Sequence, residues 1–188
     1  MSLNQISCCC FDLETTSLNA DFGVILCGVI KPAQGKAKVF RADRLNTKWQ
    51  SIRSNDKDVV AAIVKELIEY DIWIAHNGNR FDVPFLRTRL AKWGLESLPA
   101  KKLIDPVFLA RNKLKMSYNS LESLAKFLGV NSKTEVSGDQ WLQAALDGST
   151  KAMNYIVEHC IQDVLVLEKV VRSLKAYSTN YNAWGSGF

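Results

Sequence analysis

The stretch Ile6-Ser7-Cys8-Cys9-Cys10-Phe11-Asp12-Leu13-Glu14-Thr15-Thr16 decides how the rest of the chain is read. Ile6–Phe11 is a short apolar run with β character, and it gives way to the polar stretch Asp12–Asn19. Alternate strand residues share a face, so Asp12 and Glu14 point the same way where the strand ends, their Cβ atoms about 6–7 Å apart. That separation suits two carboxylates straddling a metal pair held ~4 Å apart. Two solvated acids at a strand end are the plain alternative, and D-x-E alone does not decide between them. The same alternation keeps Cys8, Cys9 and Cys10 from converging on one metal.

Working outward, Gly23–Lys31 is a second strand candidate closed by Pro32, residues 33–36 read as a turn, and Ala37–Arg41 is a third strand. Their close spacing predicts an antiparallel meander. The pattern then changes. Asp58–Tyr70 predicts a helix, with Val59, Ile63, Leu67 and Ile68 at helical spacing. Asp71–Ala75 predicts a brief strand ending at His76-Asn77-Gly78. Asp82–Trp93 predicts a helix with Pro84 in its first turn, and Lys102–Asp105 a strand stopped by Pro106. Helices are expected at Val107–Asn112, Ser120–Leu128, Ser137–Leu146 and Lys151–Lys175. Meander strands followed by alternating helices and strands indicate an α/β domain with a mixed sheet. The domain is expected to span 1–175, with 176–188 a flexible tail. Residues 182–188, which include Trp184, are a candidate docking peptide for a protein partner, with disorder the alternative.

In the last long helix Ile156, Cys160, Val164, Leu167, Val171 and Leu174 form an apolar stripe, and Asp163 projects into it. A carboxylate there is costly unless it is paired or bound to a metal; an Arg partner or a backbone cap is the alternative. Asp82 opens a helix, where Asp ordinarily caps, and it gains significance from the ordered set. That set is D-x-E on the first strand, an acid after a strand and turn, and an acid in the C-terminal helix. Such acids could not stay together as anions without cations between them. Hard oxygen donors suit Mg²⁺ or Mn²⁺ rather than zinc, and a two-metal carboxylate site performs phosphoryl transfer.

Three segments in this order resemble the motifs of the DEDD superfamily of 3′–5′ exonucleases. Phe11-Asp12-Leu13-Glu14-Thr15-Thr16 is similar to the first, and His76–Leu86, containing Asn77, Phe81 and Asp82, to the second. His159-Cys160-Ile161-Gln162-Asp163-Val164 is similar to the third, and Ile104-Asp105-Pro106 with Tyr118–Ala125 resembles the segment between. The resemblance covers roughly residues 6–172. It implies a ribonuclease H-like fold with a central five-stranded mixed sheet, a three-strand antiparallel meander plus two parallel strands, flanked by helices. It also implies two Mg²⁺ or Mn²⁺ ions on Asp12, Glu14, Asp82 and Asp163. Leu13, Thr15, Thr16, Asn77 and Phe81 would contact the substrate, a single-stranded 3′ end of DNA or RNA.

One position departs from the family pattern. The tyrosine type has Tyr four residues before the last Asp and the histidine type has His five before it. Here His159 stands four before Asp163, and Glu158 five before. Cys160 and Gln162 look more like the tyrosine-spaced branch, which includes the YprB-type ribonuclease H-like domain. A His one helical turn before Asp163 shares its face, and with an ordinary pKa of about 6.5 it can take a proton near neutral pH. His159 is therefore expected to be a general base or water-orienting residue; a helix-face His at the edge of the core is the alternative.

With 188 residues, 47% hydrophobic and 23% charged, the chain suits one packed domain and not a disordered one. Its net charge of +5 modestly favours a polyanionic partner. Arg80, Arg87, Arg89, Lys92, Lys101, Lys102, Arg111, Lys113 and Lys115 would track phosphates or form solvated helix faces. Trp49, Trp73, Trp93 and Trp141 are expected in the core or at its margin, His76 in a structural role, and Asp105 as a turn former. Five cysteines, an odd number, with no basic-then-apolar leader read as reduced thiols of a cytoplasmic protein. No apolar run approaches the ~20 residues of a membrane span. The leading reading is a metal-dependent 3′–5′ exonuclease. Its rivals are a weak or inactive exonuclease-like module that grips nucleic acid, and a structure-selective endonuclease.

Overall fold

The computed structural model describes residues 6–130 and 138–177. β1 (Cys8–Thr15) does not stop at Phe11, as the change from apolar to polar residues suggests. β2 (Ile25–Pro32) pairs with it antiparallel through the acids, Asp12 opposite Val29, Leu13 opposite Gly28 and Glu14 opposite Cys27. Backbone hydrogen bonds therefore carry the strand past its apolar part, and the pairing turns irregular only between Glu14 and Thr15. β3 (Lys38–Arg41) adds antiparallel to β2 and completes the meander. The four-residue helix α1 (Ala42–Leu45) was not expected, being too short to show a period.

α2 (Lys57–Leu67) precedes β4 (Ile72–Ile74), and α3 (Asp82–Trp93) precedes β5 (Lys102–Ile104). Both strands add parallel, so the five-stranded sheet has the order β3-β2-β1-β4-β5. α3 has the expected limits and ends at Gly94, whose left-handed φ of 60° suits a residue without a Cβ. α4 (Pro106–Lys113), α5 (Leu121–Phe127), α6 (Gly138–Asp147) and α7 (Thr150–Leu174) follow. Asp105, Ser120 and Ser149 cap α4, α5 and α7 with their side chains. A 3₁₀ turn, Lys175–Tyr177, continues past the expected domain end, and the proposed docking segment 182–188 lies outside the described residues.

The two faces of β1 meet different helices. Leu13 and Gly28 face α2: a Cβ on Gly28 would stand 2.7 Å from Ile63 Cδ1 and 2.9 Å from Leu13 Cδ2. Asp12, Glu14 and Cys27 face the other way, toward α7, where the Cys160 thiol donates to Asp12. Cys8, Cys9, Cys10, Cys27 and Cys160 are buried. Trp49 and Trp73 are buried, with Trp93 and Trp141 partly so. Among the described residues no helix is long and apolar enough to cross a membrane.

Candidate active site

The chain reverses direction across the sheet between β1 and β4, and crevices at such switch points open at the carboxyl ends of the strands. β4 ends at Ile74, level with Cys10, so β1 overhangs it. Along that overhang the Leu13 N–H has no β4 partner, and it donates to the carboxylate of Asp82. Asp82 is the first residue of α3 and is 1% exposed. It is not the cap its position suggests: Phe81 holds the cap position, without a side-chain cap bond.

The turn leading to Asp82 is held in place by a neighbour. Asn77 takes a left-handed φ of 60°, and Gly78 stands where a Cβ would come within 2.4 Å of Ala75 Cβ. Asp105, buried just beyond β5, accepts from the N–H groups of Asn77 (2.9 Å), Asn79 (3.4 Å) and Val107 (3.0 Å). It is thus more than a turn former, since it fixes the turn that delivers Asp82. His76 donates to the Asn119 carbonyl, and burial lowers its pKa.

α7 supplies the opposite wall. His159 and Asp163 are one turn apart, with Nε2 3.4 Å from Asp163 Oδ2 and 3.9 Å from Glu14 Oε1. Asp163 lies at the edge of the apolar stripe rather than within it, on the same flank as His159, and its side chain is 35% exposed. Trp141 of α6 donates its indole N–H to Glu14 Oε2 (3.1 Å) and sets its ring edge-on to His159, centroids 6.0 Å apart. The Cys160 thiol donates to the Asp12 carbonyl and to Oδ2, each at 3.5 Å.

Burial raises the pKa of all four acids, and the charges of Asp82 and Asp163 add to it at Asp12 and Glu14. Lost hydration, then the charges of Asp82, Glu14 and Asp163, push Asp12 well above the carboxylate range, against the Cys160 bond. Burial, with Asp163 and Asp82 adding, lifts Glu14 to about 8 despite the Trp141 bond. Burial lifts Asp82 to about 7 against its backbone bonds, with Asp105 adding. Asp163 is raised by burial and eased by His159. Asp82 Oδ1 is buried and has no hydrogen-bond partner among the described residues. Buried carboxylates that repel at Asp12 and Glu14, together with a buried Asp82 oxygen left without a partner among the described residues, fit a divalent cation with oxygen ligands.

The expected substrate residues are placed less uniformly. The Leu13 side chain is 4% exposed and turned away from the acids, so only its backbone borders the site. The Thr15 hydroxyl donates to the Ser17 carbonyl (2.8 Å), and the Thr16 hydroxyl accepts from Val24 N–H (3.0 Å). Phe81 packs on Phe85, ring centroids 5.6 Å apart. Arg89 leaves the basic surface group altogether: it is fully buried, with Nε and Nη2 donating to Asp56 at 2.8 and 2.7 Å. Arg80, Arg87, Lys92, Lys102, Arg111, Lys113 and Lys115 are exposed. Sequence reasoning missed Trp141, whose indole looks like any core aromatic until Glu14 is found beside it. It also missed the Cys160 contact, which joins segments distant in the chain.

The chain belongs to the RNase_H superfamily, which it matches over residues 9–175. The sheet order and its mixed pairing agree with the ribonuclease H-like fold implied by the motifs. The chain is 33% identical over 118 residues to "DNA polymerase III PolC-type" of Ureaplasma parvum, covering 54% of this chain and 8% of that protein. It is 29% identical over 90 residues to a DNA polymerase of Methanocaldococcus jannaschii, covering 46% of this chain and 5% of the polymerase. Its fold also matches the family B DNA polymerase from the archaeon Pyrobaculum calidifontis. There the TM-score is 0.67 and the identity 15%, over 89% of this chain and 24% of that one. The chain thus spans less than a tenth of the length of these two sequence relatives.

Proposed function

We propose that the protein is a 3′–5′ exonuclease of the DEDD type, hydrolysing phosphodiester bonds at a single-stranded 3′ end of DNA or RNA. The observation that carries this reading is that the charges of Asp82 and Asp163 act on both Asp12 and Glu14, with a buried Asp82 oxygen that has no partner among the described residues. The similarity to DNA polymerases supports a nucleic-acid substrate. Asp12, Glu14, Asp82 and Asp163 would hold two Mg²⁺ or Mn²⁺ ions. Such ions supply an activated water and charge neutralisation at the leaving oxygen.

The chain's own groups do the rest. His159 Nε2, beside Glu14 and Asp163, accepts the proton of the attacking water or orients it. Trp141 holds Glu14 in place, and Asp105 holds the turn that carries Asn77 and Asp82. Leu13 by its backbone, with Thr15, Thr16, Asn77 and Phe81, borders the terminal nucleotide. The exposed lysines and arginines between residues 80 and 115 follow the phosphates upstream.

The test is degradation of matched DNA and RNA oligonucleotides, labelled at the 3′ or the 5′ end, with Mg²⁺ or Mn²⁺. Early release of the 3′ label and a shortening ladder of 5′-labelled product are expected. Folded protein that shortens no 3′ end would overturn the reading. Cleavage of a circular strand would replace it with an endonuclease.

A further inference from the structure

We propose that the surface joining α4 to α5 is a track for a single nucleic-acid strand, in which bases upstream of the 3′ end stack on Phe108 and Tyr118 while Arg111 pairs with a phosphate. The direction of the strand rests on the exonuclease reading; its binding does not.

Two bonds tie this surface to the turn that carries Asn77 and Asp82. Asp105 accepts from the N–H of Asn77 (2.9 Å) and also from that of Val107 (3.0 Å), which caps α4. His76, next to Asn77, donates to the Asn119 carbonyl. Phe108 adjoins Val107 and Tyr118 adjoins Asn119, so each ring is one residue from an atom bonded to that end of the sheet. Arg111 belongs to the same corner. Its charge acts on His76, and it follows Phe108 by three positions on one face of α4.

The rings point outward although their neighbours are packed. Tyr118 is 75% exposed and Phe108 41%. On the near side of Tyr118, Met116 packs against a cluster built on Ala110, Leu124 and Val170, and on the far side Asn119 is held by His76. A ring on a loop anchored at both flanks loses little freedom when a base covers it. One exposed aromatic residue is ordinary in any surface. These two share theirs with Arg111, Lys113 and Lys115, which are exposed and make no ion pair among the described residues. Uncompensated cations interleaved with exposed rings suit a polyanion that carries flat faces, and a strand with unpaired bases is that ligand. A duplex hides the faces of its bases, and an acidic peptide offers charge alone.

The test is fluorescence anisotropy of the full chain with a 5′-fluorescein single strand of roughly 8–12 nucleotides, in EDTA so that binding is read apart from cutting. Tyr118→Ala should weaken binding about 5–100-fold, and Tyr118→Phe, which keeps the ring, should bind as the parent does. Arg111→Gln should flatten the slope of log affinity against log salt by about 0.7. An abasic nucleotide at the stacked position should weaken the parent as Tyr118→Ala does and cost that variant nothing further. Parent-like affinity in a folded Tyr118→Ala, additive losses from the abasic nucleotide and the variant, or an unchanged salt slope in Arg111→Gln would overturn the track. So would competition by polyglutamate as strong as by the unlabelled strand. A strand held through Tyr118 but not shortened in Mg²⁺ or Mn²⁺ would keep the track and lose the exonuclease reading; shortening with affinity indifferent to Tyr118 and Arg111 would do the reverse.

Discussion

His159 meets two carboxylates and an indole edge within one turn of α7, so its ring has a fixed position beside the acids. If it handles the proton of the attacking water, His159→Ala should lower Mg²⁺-supported turnover about 100-fold or more while Mg²⁺ binding stays intact. Single-turnover degradation of a 3′-labelled strand, with calorimetric Mg²⁺ binding as the control, checks this. Turnover equal to that of the parent chain would remove the role. The four acids and His159 were legible as residues because their spacing in the sequence is what marks them. Their surroundings were not: the Trp141 bond to Glu14 spans 127 positions, and nothing local to either residue announces it. Leu13 shows the opposite failure, since its place in the motif hides that the pleat turns its side chain into the core.

At the level of elements, one buried network joins four segments around the fold. The Asp56 carboxylate, just before α2, accepts from the backbone N–H of Ile25 at the start of β2 (2.9 Å) and from the Trp93 indole of α3 (2.7 Å). Arg89 of α3 completes it and reaches the Ala20 carbonyl (3.1 Å) in the loop that follows β1. Asp56 and Arg89 are each 0% exposed, so removing one leaves the other as an uncompensated buried charge. Arg89→Met should cost about 3–5 kcal/mol in denaturant unfolding, and adding Asp56→Asn should recover part of that loss. A single substitution costing less than about 1 kcal/mol would show that water reaches the pair. Read by composition, Arg89 is one more cation in a basic stretch, because a partner 33 positions away leaves no local mark. The helix periods and the meander were legible for the reason that local pattern produces them. β1 was read too short because its last residues are strand by pairing with β2 rather than by their own apolarity.

For the whole molecule, the acids that form the site oppose the fold that carries them. The folded-state pKa of Glu14 is raised from 4.5 to about 8 and that of Asp82 from 3.8 to about 7, chiefly by burial. The sign follows from which state holds protons more tightly. A raised folded pKa means that the folded chain does so, and stability then falls with rising pH wherever it binds more protons than the unfolded chain. The contribution is fully present below the ordinary carboxylate values and is lost progressively up to about pH 8. Asp12 and Asp163, also raised, act in the same direction. The metal-free protein should therefore show a falling Tm between pH 5 and pH 8.5. A cation bound among the carboxylates competes with those protons and replaces them as the neutralising charge, so its effect should grow with pH. At roughly 100 times its Kd it adds about 2.7 kcal/mol, a rise in Tm of roughly 5–10 °C for a chain of this size. Thermal unfolding by circular dichroism, with EDTA or with saturating Mn²⁺ at each pH, measures both. A flat Tm in EDTA, or a Mn²⁺ increment no larger at pH 8.5 than at pH 5, would mean that the acids do not share their protons in the folded chain.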